Sequence, residues 1–310
     1  MDPEGAQEPL VSVVIPAFNA AATIRRALAS VARQDYDPME TIVVDDGSTD
    51  DTRRIVAATR EPPVRLIELG RNRGPSAARN AGIKAARGKY VAFLDADDEW
   101  LANKLAKQVA AIEAAPAASF ATCDGVILGP NGREWGRLLV ERPRECGPEA
   151  WKTLLEYTFV QTSGVVARRD LLVDLGGFDE ERVMAEDQDM WIRLALAGEV
   201  LCVDEVLMIF HRTSESLSSR LRRGEAEYVL PMIERHIRRQ RARLSRSEIR
   251  RALGGRLSQI GRNLYGSGEY AKGVRLILRA TLMGREPLAN LAFLVHATPF
   301  GRRLKDLIRG

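Results

Sequence analysis

Lys89-Tyr90-Val91-Ala92-Phe93-Leu94-Asp95-Ala96-Asp97-Asp98 is an apolar, aromatic run that stops in three carboxylates within four residues. The run has strand character, and on an extended chain Asp95 and Asp97 point to the same side. Like charges held that close repel unless something positive lies between them. A divalent cation with oxygen ligands answers that need, and a phosphate-bearing substrate can fill its remaining positions. Working back toward the N-terminus, strand and helix alternate. Val11–Pro16 reads as a buried strand, residues 19–33 as a helix, and Thr41–Val44 as a second strand. That strand ends in the polar turn Asp45-Asp46-Gly47-Ser48-Thr49-Asp50, which can cap a helix starting near Asp51. Val64–Leu69 is a third strand, Gly74-Pro75-Ser76 opens a helix over 77–86, and Gly88 closes it before the fourth strand, Tyr90–Leu94. Four such alternations predict a mainly parallel α/β sheet flanked by helices.

The polar residues gather where strands end, which is where open α/β sheets bind ligands. No G-x-G-x-x-G follows the first strand and no G-x-x-x-x-G-K-[ST] occurs in the chain, so dinucleotide-fold and P-loop readings lose their main support. A phosphate here must be held by metal and side chains. Farther along, Phe120–Leu128 and Gly164–Ala167 are expected as strands. Asp187–Ala197 is expected as an amphipathic helix, and Val200–Val203 and Val206–Phe210 as two short strands.

Three of these segments, Val13-Val14-Ile15-Pro16-Ala17-Phe18-Asn19, Val43-Val44-Asp45-Asp46-Gly47-Ser48-Thr49-Asp50 and Leu94-Asp95-Ala96-Asp97-Asp98, resemble the nucleotide-binding half of family 2 glycosyltransferases with the GT-A fold. Gly176-Gly177-Phe178-Asp179-Glu180 and Ala185-Glu186-Asp187-Gln188-Asp189-Met190-Trp191 resemble the acceptor half. The resemblance covers roughly residues 10 to 218. It implies a metal-dependent, inverting transfer of sugar from a nucleotide-diphosphate donor, a UDP-sugar being favoured, to a hydroxyl of a glycan or lipid-linked acceptor. Pro16, Ala17, Phe18 and Asn19 would line base and ribose, and Asp46, beside Asp45, would accept from the base. Arg73, Arg79 and Asn80 would close on the nucleotide. Asp95 and Ala96 would meet the ribose, and Asp97, with Asp95, would hold Mn²⁺ or Mg²⁺. Asp187 would be the catalytic base with Glu186 beside it, and Gly177 and Trp191 would shape the acceptor side. The chain departs from the family at Phe210-His211-Arg212-Thr213-Ser214-Glu215-Ser216-Leu217-Ser218. Thr213 stands where a His is often found, and His211, two residues earlier on the same strand face, is the candidate third metal contact.

The chemistry asks for these residue types without the family. A leaving diphosphate gathers charge that a cation stabilises, and an attacking hydroxyl loses a proton that a carboxylate takes. One base opposite the leaving group gives direct displacement, hence inversion. Asp187 sits at a predicted helix N-terminus, which lowers its pKa, so burial or Glu186 must offset that effect for it to serve as a base. A nucleotidyltransferase remains an alternative because related sheets use similar carboxylates. So does a non-catalytic membrane-surface or scaffold protein with a vestigial nucleotide site.

Charge divides the chain. Residues 1–211 carry 24 Lys+Arg against 34 Asp+Glu, a net of −10; residues 212–310 carry 22 against 8, a net of +14, which together give the +4 of all 310 residues. We therefore expect a polar tail over 1–9, a catalytic domain over 10–218 and a basic, helical region over 219–310. That region combines Arg-rich stretches, including Arg302, Arg303, Lys305 and Arg309 at the end, with short apolar helices. It suits an anionic membrane surface; packing on the acidic domain or on another subunit stays open. No recognised nucleic-acid module accompanies the charge, so no nucleic-acid partner is expected. Cys123, Cys146 and Cys202 are widely spaced and odd in number. They suggest neither a disulfide framework nor a zinc site, and fit a reducing, cytoplasmic setting, peripheral on the inner face of the membrane. No signal peptide and no apolar run of membrane-spanning length is read in the sequence.

Overall fold

The computed structural model describes residues 8–138, 145–212, 224–284 and 287–297. The chain divides into two compact units, one of Met1–Trp151 with Phe159–Ser214 and the other of Lys152–Thr158 with Glu215–Gly310. The boundary expected near Ser219, the Thr213 and Ser216-Leu217-Ser218 positions and the basic residues after 297 lie outside the described residues.

The first unit is built on a mixed sheet of nine strands among the described residues. β1 (Val11–Ala17), β2 (Met39–Asp45), β3 (Val64–Glu68) and β4 (Tyr90–Phe93) form its parallel half. The rest comprises β5 (Glu99–Trp100), β6 (Ala118–Leu128), β7 (Glu134–Arg137), β8 (Val166–Arg168) and β9 (Glu199–His211). The order is β3-β2-β1-β4-β8-β6-β9-β5, with β7 hydrogen-bonded to β6. The helices between parallel strands are α1 (Ile24–Ala32), α2 (Thr52–Ala58) and α3 (Pro75–Ala85); α4 (Lys104–Glu113) precedes β6. α5 (Ala150–Glu156), α6 (Arg169–Asp174) and α7 (Glu186–Ala197) follow.

β1 alternates, as a doubly covered strand does. Val11, Val13 and Ile15 enter one core layer with Ile24, Leu28 and Val31 of α1 and Leu105, Val109 and Ile112 of α4. Val14 faces the other layer, where it lies against Gly82 of α3. In that layer Phe93, Phe120, Phe178 and Trp191 pack edge-to-face and tilted at centroid distances of 5.5 to 5.9 Å.

Three details differ from the sequence reading. α1 starts at Ile24 rather than at 19, because the amides of Asn19, Ala20 and Ala21 donate to side chains of Ser48, Thr52 and Asp50, and Asn19 turns to φ 49°. The two short strands at 200–210 are one strand, β9, irregular in register where Cys123/Val203 passes to Asp124/Val206. Cys146 and Cys202 are not free. They form a disulfide, Cα–Cα 5.9 Å, beside the Gly147/Val200 bridge, while Cys123 is buried and takes no part in it. That corrects the reading of the cysteines: a separation of 56 residues carries no spacing signal, and only the fold brings the two together.

The second unit contains residues 152–158, α8 (Glu225–Arg239), α9 (Arg246–Gly266), α10 (Tyr270–Leu282) and α11 (Pro287–Ala297). Ser245 and Glu248 form a reciprocal capping box at the start of α9. Arg256, buried in α9, donates to the carbonyls of Leu154 and Leu155 at 2.6 and 2.9 Å, satisfying orphan acceptors at the end of α5. No helix among the described residues is long and apolar enough to cross a membrane.

Candidate active site

β1 and β2 end in register, Ala17 opposite Asp45, so the loops that follow share one edge of the sheet. At this edge Pro16 and Ala17 finish β1, and Phe18 projects with 47% of its surface exposed, a free ring face for an aromatic partner. Asn19, exposed on the loop after β1, has its Oδ1 accept from the Thr49 amide at 2.8 Å, which ties this loop to the one after β2. Asp45 is buried and accepts from the Ser48 amide at 3.1 Å, which shapes the turn after β2.

Asp46 is buried too, and its two oxygens accept from the amides of Arg73 and Gly74 at 2.7 and 2.8 Å. It thus holds the Asn72–Gly74 loop in place, with one lone pair left on each oxygen. Burial pushes its carboxyl above the ordinary range, against these two donors. The neighbouring Gly47 has φ +76°, and a Cβ there would lie 2.5 Å from the Arg71 carbonyl carbon. Gly47→Ala is expected to cost about 2 kcal/mol or more through strain and overlap. A lower thermal midpoint checks it; an unchanged midpoint would refute this packing.

Arg73 reaches Glu180 at 3.0 Å. Asn80, expected on the nucleotide, holds the loop at 177–180. Its amide donates to the Phe178 carbonyl at 2.8 Å and to Glu180 at 3.0 Å, and its oxygen accepts from the Phe178 amide at 2.7 Å. Gly177, φ +72°, must be glycine for this approach, since a Cβ would fall 2.4 Å from Asn80 Oδ1.

Arg79 is the hub. Its buried guanidinium donates to Asp95 at 2.9 Å and to Glu186 at 3.1 Å, and it lies 5.4 Å from the Phe178 ring centroid. It therefore joins the turn after β4 to the first residue of α7. α7 is entered through Ala185 at φ 59°, a left-handed position that costs a non-glycine residue energy and aims the helix start. Asp187 keeps a little exposed surface. Burial raises its pKa, and Glu186 adds to that, while Arg79 opposes it; the Gln188 amide donates to it at 2.7 Å. The net direction is upward despite the helix dipole, which suits a carboxylate that must take a proton. Trp191, one of the two acceptor-side candidates, is fully buried in the aromatic layer under this helix.

Ala96 is buried in the turn between Asp95 and Asp97. Burial, then Asp95, raises the Asp97 carboxyl to about 6. Its protein counter-charge is Arg26, whose guanidinium donates to the Asp97 carbonyl at 2.6 Å. Asp95 and Asp97 lie on a turn, closed by the Asp98 amide donating to the Asp95 carbonyl at 3.1 Å, and not on the extended chain that would set them on one side. Two carboxylates this near, with Asp95 helping to raise the Asp97 carboxyl, fit a cation of the Mg²⁺ or Mn²⁺ type, which takes one or two carboxylates and completes its shell with water and phosphate. They do not amount to a closed cage, and no group of three metal-ligating side chains occurs among the described residues. His211, the candidate third contact, has its Nε2 2.7 Å from Glu99 Oε1, and its amide donates to Asp98.

Several supporting residues escaped the sequence reading. Ser163 donates to Asp98 at 2.5 Å and accepts from the Asp95 amide at 3.1 Å, fixing the carboxylate turn. It comes from a short 3₁₀ segment, Thr162–Gly164, with no motif around it. Arg26 lies on α1, and Glu180 stood in a quoted motif without a role; neither carried a spacing signal.

The profile of glycosyl transferase family 2 matches residues 12–176, more than half of the chain. The chain belongs to that family. The Succinoglycan biosynthesis protein ExoO of Rhizobium meliloti (strain 1021) is 34% identical over 240 residues, 74% of this chain and 69% of that protein. The UDP-Glc:alpha-D-GlcNAc-diphosphoundecaprenol beta-1,3-glucosyltransferase WfgD of Escherichia coli is 41% identical over 100 residues, covering 32% of this chain and 40% of that protein. In fold this glycosyltransferase is similar to S. aureus TarS 1-349 in complex with UDP, with TM-score 0.56 and 24% identity over 88% of this chain and 90% of that one. It is also similar to the mannosyltransferase PcManGT from Pyrobaculum calidifontis in complex with GDP-Man and Mn²⁺, with TM-score 0.63 and 22% identity over 96% and 83%. The fold is GT-A, as the sequence led us to expect, and the chain is an enzyme of glycosyl transfer. Family membership sets aside the nucleotidyltransferase and non-catalytic readings.

Proposed function

We propose that this glycosyltransferase moves one sugar from a nucleotide-diphosphate donor, a UDP-sugar being favoured, to a hydroxyl of a glycan or lipid-linked acceptor, with inversion and with Asp187 as general base. The setting is cell-envelope or polysaccharide assembly, peripheral on the cytoplasmic face of the membrane, a placement from which the Cys146–Cys202 disulfide withdraws the cysteine argument. The observation that carries this reading is the Arg79 bridge. One buried cation ties the Asp95–Asp97 turn to Glu186, the neighbour of Asp187, so a donor group at the first and a base at the second belong to one rigid frame. The names of relatives support it: one is named for succinoglycan biosynthesis and one for transfer onto a diphosphoundecaprenol-linked sugar.

In this reading the base lies against Phe18, and the loop that Asp46 holds closes over the ribose. Asp97, with Asp95, would hold Mn²⁺ or Mg²⁺, which supplies Lewis-acid stabilisation of charge on the leaving diphosphate. Gly177 and the loop that Asn80 fixes border the acceptor. Asp187 orients the acceptor hydroxyl and takes its proton as the new bond forms.

A thermal-shift screen against UDP-, GDP-, dTDP- and CMP-sugars, with Mn²⁺ or with EDTA, tests it on the wild type and Asp97→Ala. One nucleotide family should raise the midpoint, only with metal and only in the wild type. No shift with any donor, in folded protein, would overturn the donor assignment.

A further inference from the structure

The second unit presents an apolar and basic surface to which the proposed transfer assigns no role. α10 buries Gly273, Ile277 and Ala280 and turns the opposite face outward: Lys272, Arg275, Leu278, Arg279 and Leu282 are all exposed. Leu278 keeps 44% and Leu282 88% of its surface in solvent. α11, which packs beside α10, carries no Asp, Glu, Lys or Arg and leaves Leu288 82% and Leu291 47% exposed. Isolated exposed leucines need no explanation, but four on two adjacent helices, flanked by cations, form a face that water solvates poorly.

We propose that the Arg275–Leu282 face of α10, with Leu288 and Leu291 of α11, is an interfacial docking surface for an anionic lipid bilayer. This rests on the peripheral-membrane reading and deepens it by assigning it to residues, and its readout is separate from that of donor binding. The chemistry of the face selects the occupant. Leucines of this exposure need an apolar interior to enter, and Arg275, Arg279 and Lys272 beside them need negative charge at the rim of that interior. Nucleic acid offers the charge without the apolar interior, and an acidic protein surface offers no place for Leu282 or Leu288. The net of +14 over residues 212–310 adds long-range attraction of the same sign. At 11 residues α11 is about 16 Å long, too short to cross a bilayer, so it lies in the interface.

The test is co-sedimentation of the full chain with vesicles of phosphatidylcholine alone or of phosphatidylcholine with phosphatidylglycerol, beside the donor thermal shift as a separate readout. Wild type should partition onto the anionic vesicles and not the neutral ones, and added salt should weaken it. Arg275→Glu with Arg279→Glu should lower partition roughly thirtyfold or more, at about fivefold per basic residue lost. Leu278→Glu with Leu282→Glu should lower it at least about tenfold, and Leu282→Ser, at a site open enough to leave folding intact, should lower it in part. All variants should keep the wild-type donor response, whatever that response is. Absent binding, equal binding to neutral vesicles, or variants that bind as wild type would each overturn the proposal. So would a wild-type dimer, measured by light scattering, that the leucine variants dissolve, because a second copy would then be the occupant.

Discussion

Asp187→Asn is expected to lower kcat roughly a thousandfold, within the range for loss of a positioned general base, while the donor still raises the thermal midpoint. The amide keeps the shape and the contact from the Gln188 amide to its side-chain oxygen, but it cannot take the acceptor proton. Stability should move the other way. Burial and Glu186 raise the Asp187 pKa in the folded chain, so near neutral pH the ionised carboxylate is held there at a cost that an amide does not bear. The expected result is an inactive enzyme with an unchanged or higher midpoint. The wild-type pH profile follows from the same shift. The base works ionised, so kcat/KM should fall as pH drops through a pKa above the ordinary aspartate range, and that acid limb should be missing from the residual activity of the variant. A loss of only a few fold in Asp187→Asn would remove the base assignment.

Arg79→Met should be the most damaging single change to the frame. It strips the cation from two partly buried carboxylates at once, leaving Asp95 and Glu186 without the partner that offsets their desolvation. Breaking a buried pair in this way costs about 3 to 5 kcal/mol; since Asp95 is 32% exposed, the low end, about 3, is the expected loss. A thermal midpoint several degrees lower would show it. Arg79 also opposes the rise of the Asp187 pKa, so its removal pushes that pKa further up and moves the acid limb to higher pH. Arg79→Lys keeps the charge but one ammonium cannot span both carboxylates as the planar fork does. It should restore part of the pH profile and less of the stability. A variant that matches the wild type in both would mean that Arg79 frames nothing.

Much of this was readable from the chain. The strands, the polar turns at their ends and the carboxylate pair after β4 are local patterns, set by hydrophobic period, glycine punctuation and charge. They gave the fold class and gathered Asp46, Asp95, Asp97 and Asp187 as candidates. Local pattern also foresaw that burial would have to act on Asp187 against the helix dipole.

What each side chain touches was decided elsewhere. Asn80 sits in a segment that looks like nucleotide-binding sequence, yet it is consumed by Phe178 and Glu180, about a hundred residues away. Trp191 lies wholly inside the aromatic layer, because α7 turns that face to β6. Ser163, Arg26 and the Cys146–Cys202 bond have no neighbours in sequence that announce them. Arg79 read as a residue that closes on the nucleotide; only when α3, β4 and α7 meet at one sheet edge does it become the cation between two carboxylates. Sequence determined which groups were present and which elements alternate along the chain, since backbone preference and amphipathic period are local, while the start of α1 was set by Ser48, Thr52 and Asp50 across the next loop. Tertiary structure decided partners, burial and therefore charge state, since these depend on which distant segments share one low-dielectric space.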